Sequence, residues 1–240
     1  MKPVIKNNKH RIRKTPYKNV KRKMHKTLAR LNQDDIKELY GAKFIAGIDD
    51  VGTGAVCGAI TLGLCILRVD DRLPVKDSKK YSSVKAREAA EAIVDKHAVF
   101  HMTADAPVRY INEYGHARAV KEAFVTLLKA VAARFNKRDI VIILDGNSIP
   151  KELPAQFKGF RIIAVPKADV NICAVSAASV VAKCSRDRHM VEMSQTGYYS
   201  PYALEENMGY LTPAHREAIV NHGLTSQHRT NVEYKFLKNS

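Results

Sequence analysis

The chain has 240 residues, 45% of them hydrophobic and 27% charged, with a formal net charge of +16. This suits one domain of about 200 residues with a sizeable core and a tail, or two small domains at most, and no window approaches the roughly 18 uninterrupted apolar residues of a membrane span. The N-terminus is basic from the start, without the apolar h-region of a secretory signal. Cys57, Cys65, Cys173 and Cys184 form no CxxC pair, so neither zinc nor a redox dithiol is expected, and buried free thiols in a reducing cytoplasm are.

The charge is uneven. Residues 1–40 hold 13 Lys and Arg against Asp34, Asp35 and Glu38, a net of +10 within the total of +16. A basic tail on a mildly basic body points to a polyanion, and nucleic acid is the commonest one in a cytosol. The plainer alternative is a solubilising arm without a specific partner. Residues 1–26 read as a mobile arm. From Lys26 to Tyr40, Leu28, Leu31, Ile36 and Leu39 share one side of a short helix that Asp34 or Asp35 caps or breaks. The folded body is expected from near Ala42, giving a basic N-terminal extension over 1–40 and one domain over 41–240.

Phe44 to Asp50 predicts a short apolar strand ending in two carboxylates, followed by the turn Gly52-Thr53-Gly54. Val56 to Leu67 predicts a second, largely buried strand, and Asp70 to Lys80 a charged loop. Ser83 to His97 has helical spacing. Ala98 to Thr103 reads as a strand, and Gly115 to Phe135 as a long helix with Val120, Phe124, Leu127, Leu128 and Val131 on one face. Asp139 to Asp145 is a β-branched strand ending in Asp-Gly, and Phe160 to Pro166 another strand. Val170 to Met193 predicts a long helix of small residues. Thr212 to His222 predicts a further one, with Thr212 as cap and Pro213 at its first position. Alternating strands and helices predict an α/β domain, and the short turn between the first two strands a mixed sheet.

Carboxylates stand at three places where ligands gather in sheet domains: Asp49 and Asp50 close the first strand, Asp145 closes the Val141–Leu144 strand, and Asp169 lies between a strand and the long helix. Four clustered carboxylates repel unless divalent cations neutralise them, and hard oxygen donors suit Mg²⁺ or Mn²⁺. Two such ions about 3.5–4 Å apart can activate a water and stabilise the leaving oxygen of a phosphodiester. Each residue has a plainer alternative: Asp145-Gly146 as a turn, Asp169 as a helix cap, Asp49 and Asp50 as a solvated strand end.

The segment Gly47-Ile48-Asp49-Asp50-Val51-Gly52-Thr53-Gly54 resembles the opening motif of type 2 ribonuclease H (ribonuclease HII). Further along, Lys76-Asp77-Ser78-Lys79-Lys80 resembles its Lys-Asp-Ser-Lys-Lys loop, and Asp145-Gly146 its third-carboxylate strand. Lys167-Ala168-Asp169, with Ser176 to Lys183 and Arg186-Asp187-Arg188, resembles the fourth-carboxylate helix. Gly209-Tyr210-Leu211-Thr212 with His215, and Gln227-His228-Arg229, resemble its last two motifs. Each match is weak alone; together, in the family's order over residues 44–230, they are specific.

The resemblance implies a ribonuclease H-like fold: a central mixed five-stranded sheet flanked by helices, with a helical C-terminal part. It implies an endoribonuclease that hydrolyses RNA in RNA–DNA hybrids or at ribonucleotides embedded in duplex DNA, leaving 5′-phosphate and 3′-hydroxyl ends. Asp49, Asp50, Asp145 and Asp169 would ligate two Mg²⁺ or Mn²⁺ ions. The backbone of Gly52, Thr53 and Gly54 would sense the 2′-hydroxyl, Tyr210 would stack at the RNA–DNA junction and help recognise that hydroxyl, and Lys79, Lys80 and Lys183 would contact phosphates. A monomer is implied, with no membrane partner. Two residues depart from the family's pattern: Asp50 stands where Glu is usual, and Thr53 where Arg is usual. They leave open a second reading, a nucleic-acid-binding protein that kept the fold and lost catalysis. All four carboxylates weigh against it, since an idle site gains nothing from buried like charges.

Overall fold

The computed structural model describes residues 31–239. The arm predicted over residues 1–26, and Leu28 of the first helix, lie outside the described residues. Helix α1 runs Gln33–Tyr40, later than predicted. Asn32 is its cap, accepting from the Asp34 and Asp35 amides, and Asp35 returns a bond to the Asn32 amide. This reciprocal capping box sets the start. Leu31 and Ile36 are buried, but Leu39 is 64% exposed and points away from the core. Gln33 donates to the carbonyls of Val69 and Asp71 at 3.0 and 2.7 Å. The body therefore begins no later than Leu31, ahead of the Ala42 expected from composition.

The described residues form a five-stranded sheet in the order β3-β2-β1-β4-β5. Its strands are β1 (Phe44–Val51), β2 (Ile60–Arg68), β3 (Phe100–Ala106), β4 (Ile140–Asp145) and β5 (Arg161–Val165). β1, β2 and β3 pair antiparallel, and β1, β4 and β5 parallel, as the mixed-sheet expectation requires. β1 lies centrally and is buried on both faces, which explains its almost continuous apolar run.

Strand alternation splits the core. Ile45, Val141 and Ile143 face one side with α1 and the long helix α6 (Cys173–Ser194). Ala46, Ile48 and Ile142 face the other, against α3 (Val108–Tyr114) and α4 (His116–Arg134). α2 (Val84–His97) packs on the outer side of α6 through Ala90, Val180 and Cys184. The small residues of α6 let it lie almost on the sheet. A Cβ on Gly47 would come within 2.2 Å of the Ala174 backbone, and one on Gly63 within 2.2 Å of the Ala178 carbonyl. The C-terminal part, with α7 (Leu204–Asn207) and α8 (Pro213–His222), closes a smaller core around Val56, Cys57, Met190 and Ile219.

β3 lies two to three residues later than the Ala98–Thr103 predicted, and two further elements differ. β2 starts at Ile60, not Val56. The amides of Val56 and Cys57 donate to the Gly209 carbonyl at 2.9 and 3.1 Å, and the Arg229 amide donates to Val56 at 2.8 Å. Residues 56–58 thus pair with the C-terminal part, and Gly58, at φ +83°, turns the chain into β2. The helix predicted from Val170 to Met193 is interrupted: α5 (Ala168–Asn171) ends at Ile172, whose extended backbone (φ −122°, ψ 107°) starts a new direction for α6. Ile172 is fully buried there, so apolar burial compensates the broken helix.

Candidate active site

The sheet topology brings the strand-end carboxylates together. Ile48 pairs with Leu144, so Asp49 and Asp145 leave neighbouring parallel strands side by side. They also share a face, the one covered by α6. Asp169 follows β5 in the first turn of α5, and the Ala168 amide beside it donates to Asp145 Oδ1 at 2.7 Å. Asp50 is exposed at the mouth, and its amide donates to Asp49 Oδ1 at 2.8 Å.

The charges feel one another. Burial, reinforced by Asp145 and Asp50, pushes the Asp49 carboxyl up to about 7 against the opposing hydrogen bond from Ser179. Burial and then Asp169 raise Asp145, while the Ala168 amide opposes them. Burial and then Asp77 raise Asp169, opposed by Lys79 and Lys80. Partial burial pulls the Lys79 ammonium down, yet Asp49, Asp77, Asp169 and Asp145 together hold it above its usual value. The Lys76–Lys80 loop is pinned over this cluster: the Ser78 and Ser179 hydroxyls lie 2.9 Å apart, and Asp77 accepts from the Lys79 amide at 3.0 Å. Lys79 and Lys80 are exposed. Lys183 is committed elsewhere: its ammonium sits 2.7 Å from Asp187, which also takes Arg87 at 3.2 Å.

The glycine turn and Tyr210 meet beside the carboxylates. Gly52 has φ +88°, and a Cβ there would strike Arg186 Nε at 2.3 Å, so the turn needs glycine. Gly54 is open, with only the Tyr210 ring, 3.9 Å from where its Cβ would stand. Two buried arginines brace the turn and the segment that follows it. Arg186 donates to the carbonyls of Ala59, Met208 and Cys57 at 3.0, 2.8 and 3.1 Å. Arg229 donates twice to Gly58, at 3.0 and 2.8 Å, and once to Thr53 at 3.1 Å. The Arg186 guanidinium also lies 5.6 Å from the centre of the Tyr210 ring, which is 37% exposed.

A cluster of oxygen donors at the mouth of a sheet, beside an exposed aromatic ring and a clamped backbone turn, suits a phosphodiester substrate. Residues 46–239 match the family model described as ribonuclease HII. The chain belongs to the ribonuclease HII family. It is similar to the ribonuclease HII of Geobacillus thermodenitrificans, at 34% identity over 216 residues covering 88% of this chain and 78% of that one. It is similar to that of Paracoccus denitrificans, at 32% identity covering 79% and 84%. Among solved structures, the ribonuclease H2 of Pyrococcus horikoshii superposes with a TM-score of 0.63 at 25% identity, over 79% of this chain and 94% of that one. Membership makes the chain a ribonuclease H, an endonuclease hydrolase acting on RNA–DNA hybrids.

A second group of potential ligands lies in the smaller C-terminal core. Cys57, His215 and His228 are buried with their donor atoms within 4.8 Å of one another. The hydrogen bonds fix the ring protons. The Thr225 amide donates to His228 Nδ1 at 2.9 Å, so the proton of His228 is on Nε2. That proton is directed at His215 Nε2, 3.1 Å away. His215 Nδ1 then carries a proton and donates to the Tyr210 carbonyl at 2.9 Å. His228 has no lone pair left for a metal, and burial pushes the Cys57 thiol up to about 12 despite Arg186 and Arg229. The trio is a relay from the Thr225 backbone to the Tyr210 backbone, not a metal centre.

Asp77, Ser179, Arg186 and Arg229 were not singled out from sequence as site residues. Asp77, Arg186 and Arg229 stand within the quoted family motifs, and Ser179 within the Ser176–Lys183 run, so the signal was present. The roles of Ser179, Arg186 and Arg229 depend on contacts across more than a hundred residues, and that of Asp77 on the distant Asp169.

Proposed function

We propose that this ribonuclease HII relative cuts RNA strands by two-metal-ion hydrolysis, with Asp49, Asp50, Asp145 and Asp169 as oxygen donors for Mg²⁺ or Mn²⁺. One observation carries the reading: neighbouring parallel strands end in Asp49 and Asp145, and burial, with the Asp145 charge added to it, raises the Asp49 carboxyl to about 7. Like charges so arranged cost free energy until a cation neutralises them. The donor set fits hard divalent ions, since it contains carboxylates and no thiolate or imidazole. A ribonuclease HIII of the same fold, from Bst, has been solved in complex with Mn²⁺ (TM-score 0.58, 20% identity, covering 84% of this chain and 70% of that one).

When bound, the ions would supply charge neutralisation at the phosphate and activation of a water for in-line displacement of the 3′ oxygen. The remaining work falls to the chain. Gly52, Thr53 and Gly54 present backbone that a ribose can approach closely, and Arg229 at the Thr53 carbonyl, with Arg186 packed against Gly52, holds it in place against the 2′-hydroxyl. Tyr210 offers an exposed face for stacking at the RNA–DNA junction, and Lys79 and Lys80 offer charge to phosphates. Lys183 is a weaker phosphate ligand, being paired with Asp187. The substrates are RNA–DNA hybrids and ribonucleotides embedded in duplex DNA. All four cysteines are free thiols, which fits a reducing cytoplasm as the place of action.

The test is cleavage of two end-labelled duplexes, one fully RNA–DNA and one with a single embedded ribonucleotide, with Mg²⁺ or Mn²⁺, beside Asp49→Asn. Metal-dependent cutting to 5′-phosphate ends, lost in the variant, is expected. Tight binding without cutting under either metal would replace this reading with a non-catalytic binder.

A further inference from the structure

We infer that Thr53 is a positioning residue that orients the carboxylate of Asp50 toward a divalent cation; this rests on the metal-site reading above. The Thr53 hydroxyl donates to Asp50 Oδ2. Both residues are exposed, so burial does not force this contact: water could satisfy either group. The contact is instead set up by the backbone. The buried Arg229 guanidinium holds the Thr53 carbonyl at 3.1 Å, and the Ala55 amide closes the turn on the Gly52 carbonyl at 3.1 Å. Threonine is stiff at its first torsion, so a fixed backbone carries the hydroxyl to a fixed place.

Asp50 needs such help more than a glutamate would. Its side chain is one methylene shorter, about 1.5 Å less reach, and its strand position is set by the β1–β2 register. Its amide is already spent on Asp49. With Oδ2 held by Thr53, Oδ1 has no hydrogen-bond partner among the described residues. A hydroxyl does this without neutralising the carboxylate, whereas a guanidinium at the same position would compete with the cation for the negative charge. The two departures noted in the opening motif, Asp50 and Thr53, therefore work as one unit: the hydroxyl compensates the shortened acid.

The decisive measurement is Mn²⁺ uptake by the metal-free full-length protein, read from the electron paramagnetic resonance signal of free Mn²⁺, with circular dichroism to verify folding. Thr53→Val keeps the shape and removes the hydroxyl. Its affinity for Mn²⁺ at the site should fall about tenfold, the size of one charge-assisted hydrogen bond at a partly solvated site. Thr53→Ser keeps the hydroxyl and should stay within about twofold. In an Asp50→Glu background, adding Thr53→Val should change affinity by less than about twofold, because the longer acid no longer depends on the contact. Thr53→Val titrating like the unaltered protein would overturn the inference while leaving the metal reading intact. Failure of the unaltered protein to take up Mn²⁺ would sink the metal reading, and Thr53's role with it.

Discussion

Asp49→Asn should abolish cleavage and yet make the metal-free protein more stable. Asp49 is 7% exposed, and burial with Asp145 and Asp50 lifts its carboxyl from 3.8 to about 7. The native state thus holds the proton more tightly than the unfolded chain. The stability that this group contributes is fully present below pH 3.8 and is lost as pH rises through about 7. At about 1.4 kcal/mol per pH unit the full loss is about 4 kcal/mol, and solvent around the exposed Asp50 and half-buried Asp145 reduces the expected value to about 2 kcal/mol. Asparagine keeps the acceptor for the Asp50 amide and the Ser179 hydroxyl but carries no charge. Urea denaturation in chelator should show the variant ahead by about 2 kcal/mol at pH 8, with the gap closing toward pH 4. Saturating Mn²⁺ should reverse the order by stabilising only the unaltered protein. A variant that is less stable than the parent at pH 8, or a gap that does not move with pH, would refute the claim that Asp49 sits among uncompensated charges.

The histidine relay titrates in the opposite direction. Burial, then His215, holds His228 at about 4 against an ordinary 6.5, so its contribution is present above pH 6.5 and lost as pH falls through about 4. The stability difference between the unaltered protein and His228→Gln should therefore shrink by about 2 kcal/mol between pH 7 and pH 4; a constant difference would mean that the ring is not held neutral. Two glycines should separate folding from substrate contact. Gly47→Ala drives a methyl against the Ala174 backbone at 2.2 Å and should cost about 3 kcal/mol or more in denaturation. Gly54→Ala meets only the Tyr210 ring at 3.9 Å, so denaturation should shift by no more than about 0.5 kcal/mol while hybrid cleavage falls; unchanged cleavage would remove Gly54 from the substrate surface.

Several local features were legible without the fold. β-branched and apolar runs marked β1, β4 and β5, helical spacing marked α2 and α4, and Thr212-Pro213 marked the start of α8. Carboxylates at the ends of two such runs are a local property too. Once the strands are parallel neighbours they must meet, because parallel strands end at the same edge. The family resemblance then supplied order and identity where spacing alone left Asp145 a turn and Asp169 a cap.

Other features had no local signature. Val56 and Cys57 look like more of β2, but their amides belong to Gly209, some 150 residues on. Nothing in the period of the sequence records which distant carbonyl takes a backbone amide. Leu39 fits the apolar stripe of α1, yet the way the capped helix docks leaves it outside. Arg186 and Arg229 look like surface charge and are buried, because three and two backbone carbonyls respectively receive their protons. The sequence by itself determined which residues can be strand, helix and ligand, since hydrophobic period and side-chain chemistry are written locally. Only the tertiary structure decided which carboxylates are brought close enough to raise one another, that Arg229 holds the Thr53 carbonyl, and that Thr53 grips Asp50, because those energies depend on burial and on partners far away in the chain.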